Sequence, residues 1–226
     1  MAVRPVRADD VPAVALIFRK AFPESVAHVY GGIDPPDEGL RDIFRFLAGE
    51  LPDNFLVWEE SGRISGYVVA PRTISMLWAR ALLRGHLLVW ARKWLCGAYR
   101  LSIFKVLKLI GNKILFAGSS LRQLAGRHAQ ILSVAVDPES QGRGIGRALT
   151  AAALQLLRTQ GAPVVKLEVR PWNIPARRVY SSLGFQEVGR SFDSQGEWLM
   201  MEARLSADSA TVNTLGGPAD DRSVRD

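Results

Sequence analysis

Residues 141–150, QGRGIGRALT, place three glycines and two arginines directly ahead of a run of helix-forming residues. The preceding segment, AQILSVAVDP, is strongly apolar and predicts a strand, while RALTAAALQLLRTQG predicts a helix that ends at Gly161. The first N–H groups of a helix lack intrahelical partners and carry the positive end of its dipole. Glycines let the backbone close around an anion without Cβ clashes. The segment therefore predicts a phosphate or pyrophosphate site, to which Arg143 and Arg147 add positive charge.

The spacing of the glycines excludes two well-known nucleotide motifs. No Gly-Lys-Ser/Thr follows them, so the loop is not a P-loop, and the order is G-x-G-x-G rather than the G-x-G-x-x-G of a dinucleotide fold. Taken alone, the glycine pattern fits a tight strand-to-helix turn as well as it fits an anion site.

The residues around the loop are more specific. SVAVDPESQGRGIGRAL, followed by LEVRPWNIPARRVYSSLGFQEVGR, resembles the Gcn5-related N-acetyltransferase (GNAT) family. The first stretch is similar to the family's Q/R-x-x-G-x-G/A loop, and the second to its strand, Asn-led helix and Y-x-x-x-G-F segment. The matching loop residues are Gln141, Gly142, Arg143, Gly144, Ile145 and Gly146. LEVRPWN resembles in particular the bacterial ribosomal-protein N-terminal acetyltransferase subgroup.

The resemblance implies one α/β domain over residues 1–205, with a mixed, mostly antiparallel sheet of about seven strands flanked by helices. It is specific over residues 129–192 and does not cover residues 73–128, which separate the third and fourth strands and which we expect to form a helical insertion. Residues 206–226 are polar and poor in large apolar side chains, so we expect a disordered tail.

The resemblance also implies a co-substrate, acetyl-CoA or another acyl-CoA, and no metal. The backbone of Val134, Ala135 and Val136 would lie along the pantetheine arm, beside an opening in the sheet. The N–H groups of residues 141–147 would hold the pyrophosphate. Asn173 would contact the pantetheine, cap its helix, or do both.

The implied reaction transfers the acyl group, usually acetyl, from the thioester to an amine. Tyr180 matches the family's tyrosine near the sulfur and is the predicted general acid, with packing in the core as the alternative. Glu168 matches the subgroup's general base, but strand alternation puts it on one face with Lys166 and Arg170, so a structural ion pair is an equal alternative. Glu59 and Glu60, acting through water, are competing candidates for the base.

The predicted insertion carries an unusual charge. Residues 72–128 contain eleven Lys or Arg residues and no Asp or Glu, although the whole chain has a net charge of +7. One hypothesis is a pair of amphipathic helices that cover the acceptor groove and bind an anionic membrane surface or an acidic or lipid-like ligand. The other is a helical lid packed on the core, or a homodimer contact. The segment is too apolar for nucleic-acid binding, which we do not expect.

Composition and the first residues of the sequence limit the disulfide content and the cellular compartment. The single cysteine, Cys96, excludes an internal disulfide, and its apolar neighbours predict an inert buried thiol. The first residues, MAVRPVRADD, lack the apolar core of a secretory signal, so we expect a cytoplasmic protein. The acceptor could be a protein N-terminus, a lysine or a small amine. A long-chain acyltransferase at a membrane and a catalytically idle acyl-CoA-binding module are the alternative functions.

Overall fold

The computed structural model describes residues 2–30, 37–73, 77, 80–81, 83–99 and 128–205. The predicted tail at 206–226 and more than half of the predicted insertion lie outside the described residues. In the described parts of the chain, no helix is long and apolar enough to cross a bilayer.

The N-terminal half forms a four-stranded antiparallel sheet covered by helices. Its strands, in spatial order, are β1 (Ala2–Pro5), β2 (Phe55–Glu60), β3 (Arg63–Val69) and β5 (Ser133–Val136). Its helices are α1 (Val11–Ala21), α2 (Pro23–Tyr30) and α3 (Asp37–Glu50). In the sequence, NFLVWEE and RISGYVVAPR predict two strands joined by a tight Ser-Gly turn. The structure confirms this hairpin, since Ser61 and Gly62, between β2 and β3, both adopt positive φ. Helix α2 was not predicted.

The C-terminal half forms a second four-stranded sheet. Its strands, in spatial order, are β4 (His128–Gln130), β6 (Val164–Val169), β8 (Gly196–Arg204) and β7 (Gln186–Asp193). Strand β4 runs parallel to β6, and the other neighbours are antiparallel. Its helices are α5 (Ile145–Thr159) and α6 (Ile174–Ser182).

The two sheets meet where one predicted strand divides. The N–H of Ile131 donates to the Lys166 carbonyl in the second sheet at 2.8 Å, and the N–H of Leu132 donates to Val69 in the first sheet, also at 2.8 Å. The chain thus changes sheets between consecutive residues. The described residues form eight strands in two sheets, where the sequence predicted about seven strands in one. An opening separates β5 from β6.

The core consists of two apolar clusters, and the larger one joins the two halves. The larger one surrounds α5 and draws on both sheets, with Val68 from β3 and Val165 from β6 against Leu149 and Leu157. The smaller one lies on the opposite side of the first sheet, where α1 and α3 cover Tyr67 and its neighbours. Burying apolar surface from both sheets under one helix makes the halves a single packed unit.

The described part of the insertion packs on α3. Helix α4 (His86–Leu95) begins after Gly85 and is followed by Gly97, and both glycines have positive φ, as expected of helix breaks. The ring of Phe46 contacts His86 at 5.1 Å and Trp90 at 5.4 Å. This arrangement agrees with a helical lid packed on the core.

Carboxylates of α3 neutralise part of the insertion's charge. Lys93 donates to Asp42 at 2.8 Å, and Tyr99 donates to the same carboxylate at 2.7 Å. Arg84 pairs with the buried Glu50 at 2.5 Å. These basic side chains therefore serve an internal interface.

The expectation of a buried thiol is wrong. Cys96 is exposed, because it lies in the turn after α4, beyond the part of the helix that packs on α3.

Candidate functional site

The glycine loop has the backbone of an anion site. Gly142 and Gly144 adopt φ of +77° and +78°, a region that side chains disfavour. Gly144 is the N-cap of α5, and no side chain caps the helix. The first intrahelical bond runs from the Ala148 N–H to the Gly144 carbonyl, so the N–H groups of residues 145–147 remain available to an anion.

The two arginines of this loop have different surroundings. Arg143 donates from Nη2 to both carboxylate oxygens of Glu60 at 2.8 Å. Arg147 is exposed and makes no ion pair with any residue that the structure describes. Arg147 is therefore the arginine with its charge free for an anion at the helix N-terminus.

Asp137 anchors the start of the loop, although no motif in the sequence identified it. Its buried carboxylate accepts hydrogen bonds from Arg63 at 2.9 Å, Lys20 at 3.3 Å and the Glu139 N–H at 3.4 Å. Burial alone would raise the pKa of Asp137, but these donors outweigh it, and the pKa is lowered. The Asp-Pro pair after a strand, typical of a helix N-cap, was the available sequence signal.

The strand before the loop presents an unpaired backbone edge. The Asp137 N–H donates to the Ser65 carbonyl at 2.9 Å, and Ala135 pairs with Tyr67 in the same ladder. Because an antiparallel ladder alternates, the polar backbone atoms of Val134 and Val136 point away from β3, into the opening. The Gln141 side chain reaches this edge and donates to the Val136 carbonyl at 3.3 Å. Of the three residues predicted here, Ala135 thus has its backbone engaged with β3.

Tyr180 and Asn173 lie on the helix that follows β6. Asn173 caps α6 by accepting from the Ala176 N–H at 3.2 Å, as predicted. The ring of Tyr180 packs on the larger cluster, 5.8 Å from Phe185, while its hydroxyl bonds to no residue in the described segments. Burial raises the pKa of Tyr180 to about 12. The phenol therefore keeps its proton at neutral pH and can donate it.

Glu168 does not form the ion pair that its neighbours on the strand suggested. Its carboxylate is exposed and accepts from the Ser191 hydroxyl at 3.0 Å. Lys166 lies 3.9 Å from Glu202, and the guanidinium of Arg170 stacks 3.7 Å over the ring of Trp198. Both cations thus have other partners.

The side of the second sheet that carries Glu168 can be assigned from packing. Val165, Leu167 and Val169 all belong to the larger cluster, so Glu168, between two of them, faces the opposite side. The smaller cluster shows that α1 covers this side in the first sheet. Glu168 and α1 are therefore on the same side of the molecule.

The competing base candidates are both engaged. Glu59 binds the guanidinium of Arg4, and Glu60 binds Arg143. Among the histidines, His28 contacts the Ser194 hydroxyl at 3.1 Å, and His86 stacks on Phe46. Glu168 is the candidate whose carboxylate is exposed without an ion pair in the described chain.

Helix α2 also contributes to this side of the molecule. Ser25 contacts Gln195 at 2.9 Å, in the turn between β7 and β8, and Arg170 donates to the same Gln195 at 3.3 Å. This contact joins the N-terminal half to the hairpin beside Glu168. No sequence pattern indicated this contact, because Ser25 and Gln195 lie 170 positions apart.

Comparison with known proteins agrees with this geometry. The Acetyltransferase (GNAT) family matches residues 16–185. The [ribosomal protein bS18]-alanine N-acetyltransferase of Salmonella typhimurium is 35% identical over 105 residues, which cover 46% of this chain and 70% of that protein. The solved structure of SsHAT superposes with a TM-score of 0.66 at 23% identity, covering 91% of this chain and 98% of that one.

A further relative matches a shorter segment. The mycothiol acetyltransferase of Acidothermus cellulolyticus is 47% identical over 60 residues, which cover 26% of this chain and 18% of that protein. Across five mycothiol acetyltransferases, the chain spans between 17% and 26% of the relative's length.

The split sheet, the unpaired edge of β5 and the glycine loop at a helix N-terminus define an α/β protein built to hold an extended ligand that ends in phosphate. With a family match that spans most of its length, the chain belongs to the GNAT acetyltransferase family.

Proposed function

We propose that this protein transfers an acetyl group from acetyl-CoA to a primary amine. One observation carries the proposal: the unpaired edge of β5 leads directly into the glycine loop and the uncapped N-terminus of α5. An extended pantetheine arm can hydrogen-bond along such an edge while its pyrophosphate occupies the helix N-terminus.

The residues of the site divide the reaction as follows. The amine nitrogen attacks the thioester carbon, forming the C–N bond, and the C–S bond then breaks. The Val134 N–H, directed into the opening, stabilises the oxyanion. Tyr180 gives its proton to the leaving thiolate, and Glu168 takes a proton from the amine, directly or through water. Asn173 and residues 141–147 hold the co-substrate.

We propose a protein N-terminus as the acceptor. The Salmonella relative, which this chain matches over 70% of that protein's length, is named as an alanine N-acetyltransferase of ribosomal protein bS18. The mycothiol acetyltransferases match over shorter segments. We propose the cytoplasm as the compartment of the reaction.

Thermal unfolding with a series of CoA thioesters tests the co-substrate. Acetyl-CoA, longer acyl-CoA species through palmitoyl-CoA, and free CoA are compared at equal concentration. A ligand at about 100 times its Kd adds about 2.7 kcal/mol to the stability of the folded state. We expect acetyl-CoA to raise the Tm most. A larger shift with palmitoyl-CoA would indicate a long-chain enzyme, and no shift with any thioester would overturn the proposed site.

A matched pair of variants tests the anion site. Arg147→Gln removes the exposed charge at the first turn of α5, whereas Arg158→Gln removes a charge from its last turn. We expect only the first to weaken acetyl-CoA binding, by about tenfold for a charge-assisted contact. If the two variants weaken acetyl-CoA binding equally, the phosphate does not bind at the N-terminus of α5.

Transfer itself is tested with a peptide that has a free N-terminal alanine. Mass spectrometry should find one added acetyl group, and the same peptide with a blocked N-terminus should stay unmodified. Acetylation of a lysine in the blocked peptide would contradict the proposed acceptor and would show that the enzyme acts on lysine.

A further inference from the structure

A buried hydroxyl pair lies where the two sheets separate, and the proposed reaction does not yet use it. Tyr67, on β3, is fully buried, and its hydroxyl lies 2.9 Å from the hydroxyl of Ser133. Ser133 is half-buried and begins β5, directly after the residue at which the chain changes sheets.

The direction of this hydrogen bond follows from burial. In the described structure the hydroxyl of Tyr67 has no partner except Ser133. A buried donor without an acceptor costs about 1–3 kcal/mol, so the Tyr67 proton is donated to Ser133. Burial also raises the pKa of Tyr67, which keeps that proton in place. Ser133 therefore retains one free lone pair and its own proton.

Packing shows which side of the sheet carries Ser133. Ala135 belongs to the smaller cluster under α1, whereas Val134 packs against the larger cluster. Ser133 alternates with Val134 and thus shares the side of Ala135. This is the same side on which Glu168 lies.

The register of the second sheet brings Ser133 and Glu168 to the same level. Gln130 pairs with Lys166 in parallel. If the same register is extended by two residues along both strands, Leu132 lies beside Glu168. At this point the chain leaves the second sheet, and β5 and β6 begin to separate. Ser133 and Glu168 therefore border the mouth of the opening from opposite strands.

We propose that the hydroxyl of Ser133 accepts a hydrogen bond from the N–H of the acceptor amine and so aims the nitrogen lone pair at the thioester carbon. A neutral primary amine has two N–H groups and one lone pair. With one N–H bound to Ser133 and the other near Glu168, only the lone pair remains for the attack. Ser133 is then a catalytic residue, and Tyr67 is a positioning residue that fixes the serine. This assignment rests on the proposed amine acetylation.

The expected kinetics separate Ser133 from its neighbours. With acetyl-CoA and a peptide that has a free N-terminal alanine, Ser133→Ala should lower kcat/KM for the peptide by about tenfold or more. Ser133→Thr retains the hydroxyl and should restore most of the activity. Tyr67→Phe should lower the same kcat/KM by a smaller factor. In the double variant, the loss of transition-state stabilisation should be smaller than the sum of the two single losses, because both changes act on one hydroxyl pair.

Control measurements exclude a merely structural effect. Ser182→Ala removes a serine hydroxyl that bonds only the Val179 carbonyl, and it should leave kcat/KM unchanged. Acetyl-CoA should raise the Tm of Ser133→Ala as much as that of the natural protein.

Three results would overturn the inference in distinguishable ways. An unchanged kcat/KM in Ser133→Ala would remove Ser133 from the reaction while leaving the proposed function intact. Loss of the acetyl-CoA stabilisation in Ser133→Ala would assign the serine to co-substrate binding or folding. Absence of transfer by the natural protein would sink the proposed function, and this inference with it.

Discussion

At the scale of single residues, Tyr180 combines a buried ring with a hydroxyl that no described residue binds. Tyr180→Phe removes only that hydroxyl, so the packing on Phe185 and the stability should be retained. We expect kcat to fall by about 100-fold or more, as for loss of a general acid. Steady-state kinetics measure the fall, and the acetyl-CoA-induced rise in Tm serves as the folding control. An unchanged kcat would leave Tyr180 with a packing role alone.

The raised pKa of Tyr180 also predicts a pH dependence. Burial favours the neutral phenol and places its pKa at about 12. A tyrosine with the ordinary pKa of about 10 would lose its proton progressively above about pH 9. Tyr180 keeps its proton there, so kcat should show no fall between pH 8 and 10 attributable to this group. A fall in that range that disappears in Tyr180→Phe would contradict the assignment.

The proposed role of Glu168 as the base makes a separate prediction. Glu168→Gln keeps the shape of the side chain but cannot accept a proton, so we expect kcat/KM to fall by about 100-fold. Steady-state kinetics with the peptide measure the fall. Ser191→Ala is the matched control, because it removes the hydrogen bond to Glu168 and leaves the carboxylate. If Glu168→Gln and Ser191→Ala behave alike, the carboxylate is not the base.

At the scale of secondary-structure elements, Asp137 links β3, α1 and the loop before α5. Asp137→Asn keeps the size of the side chain but removes the charge, and we expect a loss of about 2 kcal/mol in the free energy of unfolding. The folded-state pKa of Asp137 is lowered, so its contribution is present above about pH 4 and lost as pH falls through that lowered pKa. Chemical denaturation across pH should show the difference between variant and natural protein shrinking in acid. A constant difference would mean that the charge is not the cause.

The interface between α3 and the insertion makes a second prediction at this scale. Asp42 is buried and binds both Lys93 and Tyr99, one on each side of the end of α4. Asp42→Ala leaves both without this partner, so we expect trypsin to cleave within residues 83–99 about tenfold faster. Glu38→Gln is the control, since the half-exposed Glu38 also contacts Lys93. Equal cleavage rates in the two variants would show that Asp42 does not hold the insertion.

At the scale of the whole molecule, one helix covers both sheets. Helix α5 packs against Val68 of the first sheet and Val165 of the second. The two halves should therefore unfold together, although no continuous strand ladder joins β5 to β6. Trp58 lies in the first sheet and Trp198 in the second, and the chain has six tryptophans. A variant that keeps only Trp58 and one that keeps only Trp198, with the other five replaced by Phe, therefore report on the two halves separately. In each variant the midpoint from fluorescence should equal the midpoint from far-UV circular dichroism. Separate midpoints would show two independent units.

The order of elements followed from local patterns. The amphipathic helices, the hairpin with its Ser-Gly turn and the Asn173 cap all depend on residues within a few positions of each other, so composition and spacing predicted them. Helix α2 escaped prediction because PESVAHVY is short and weakly apolar, and its place depends on contacts such as Ser25 with Gln195.

The site residues divide in the same way. The glycine loop, Tyr180 and Glu168 were identified from their motifs. The roles of Asp137, Ser133 and Tyr67 were not, because each depends on partners distant in the sequence, such as Lys20 for Asp137. The exposure of Cys96 likewise depends on where α4 ends relative to α3, and its apolar neighbours in the sequence did not predict it.

The sequence by itself determined the family, the glycine loop proposed to bind an anion, and the residue types available for proton transfer, because these depend on side-chain chemistry and local backbone conformation. Only the tertiary structure decided where the sheet divides, since Ile131 and Leu132 take their partners from strands far apart in the chain. It also decided that Glu168 is free of Lys166 and Arg170 and that α3 neutralises charges of the insertion. A local sequence pattern does not distinguish between possible strand or ion-pair partners, and the contacts between distant segments determine which partners meet.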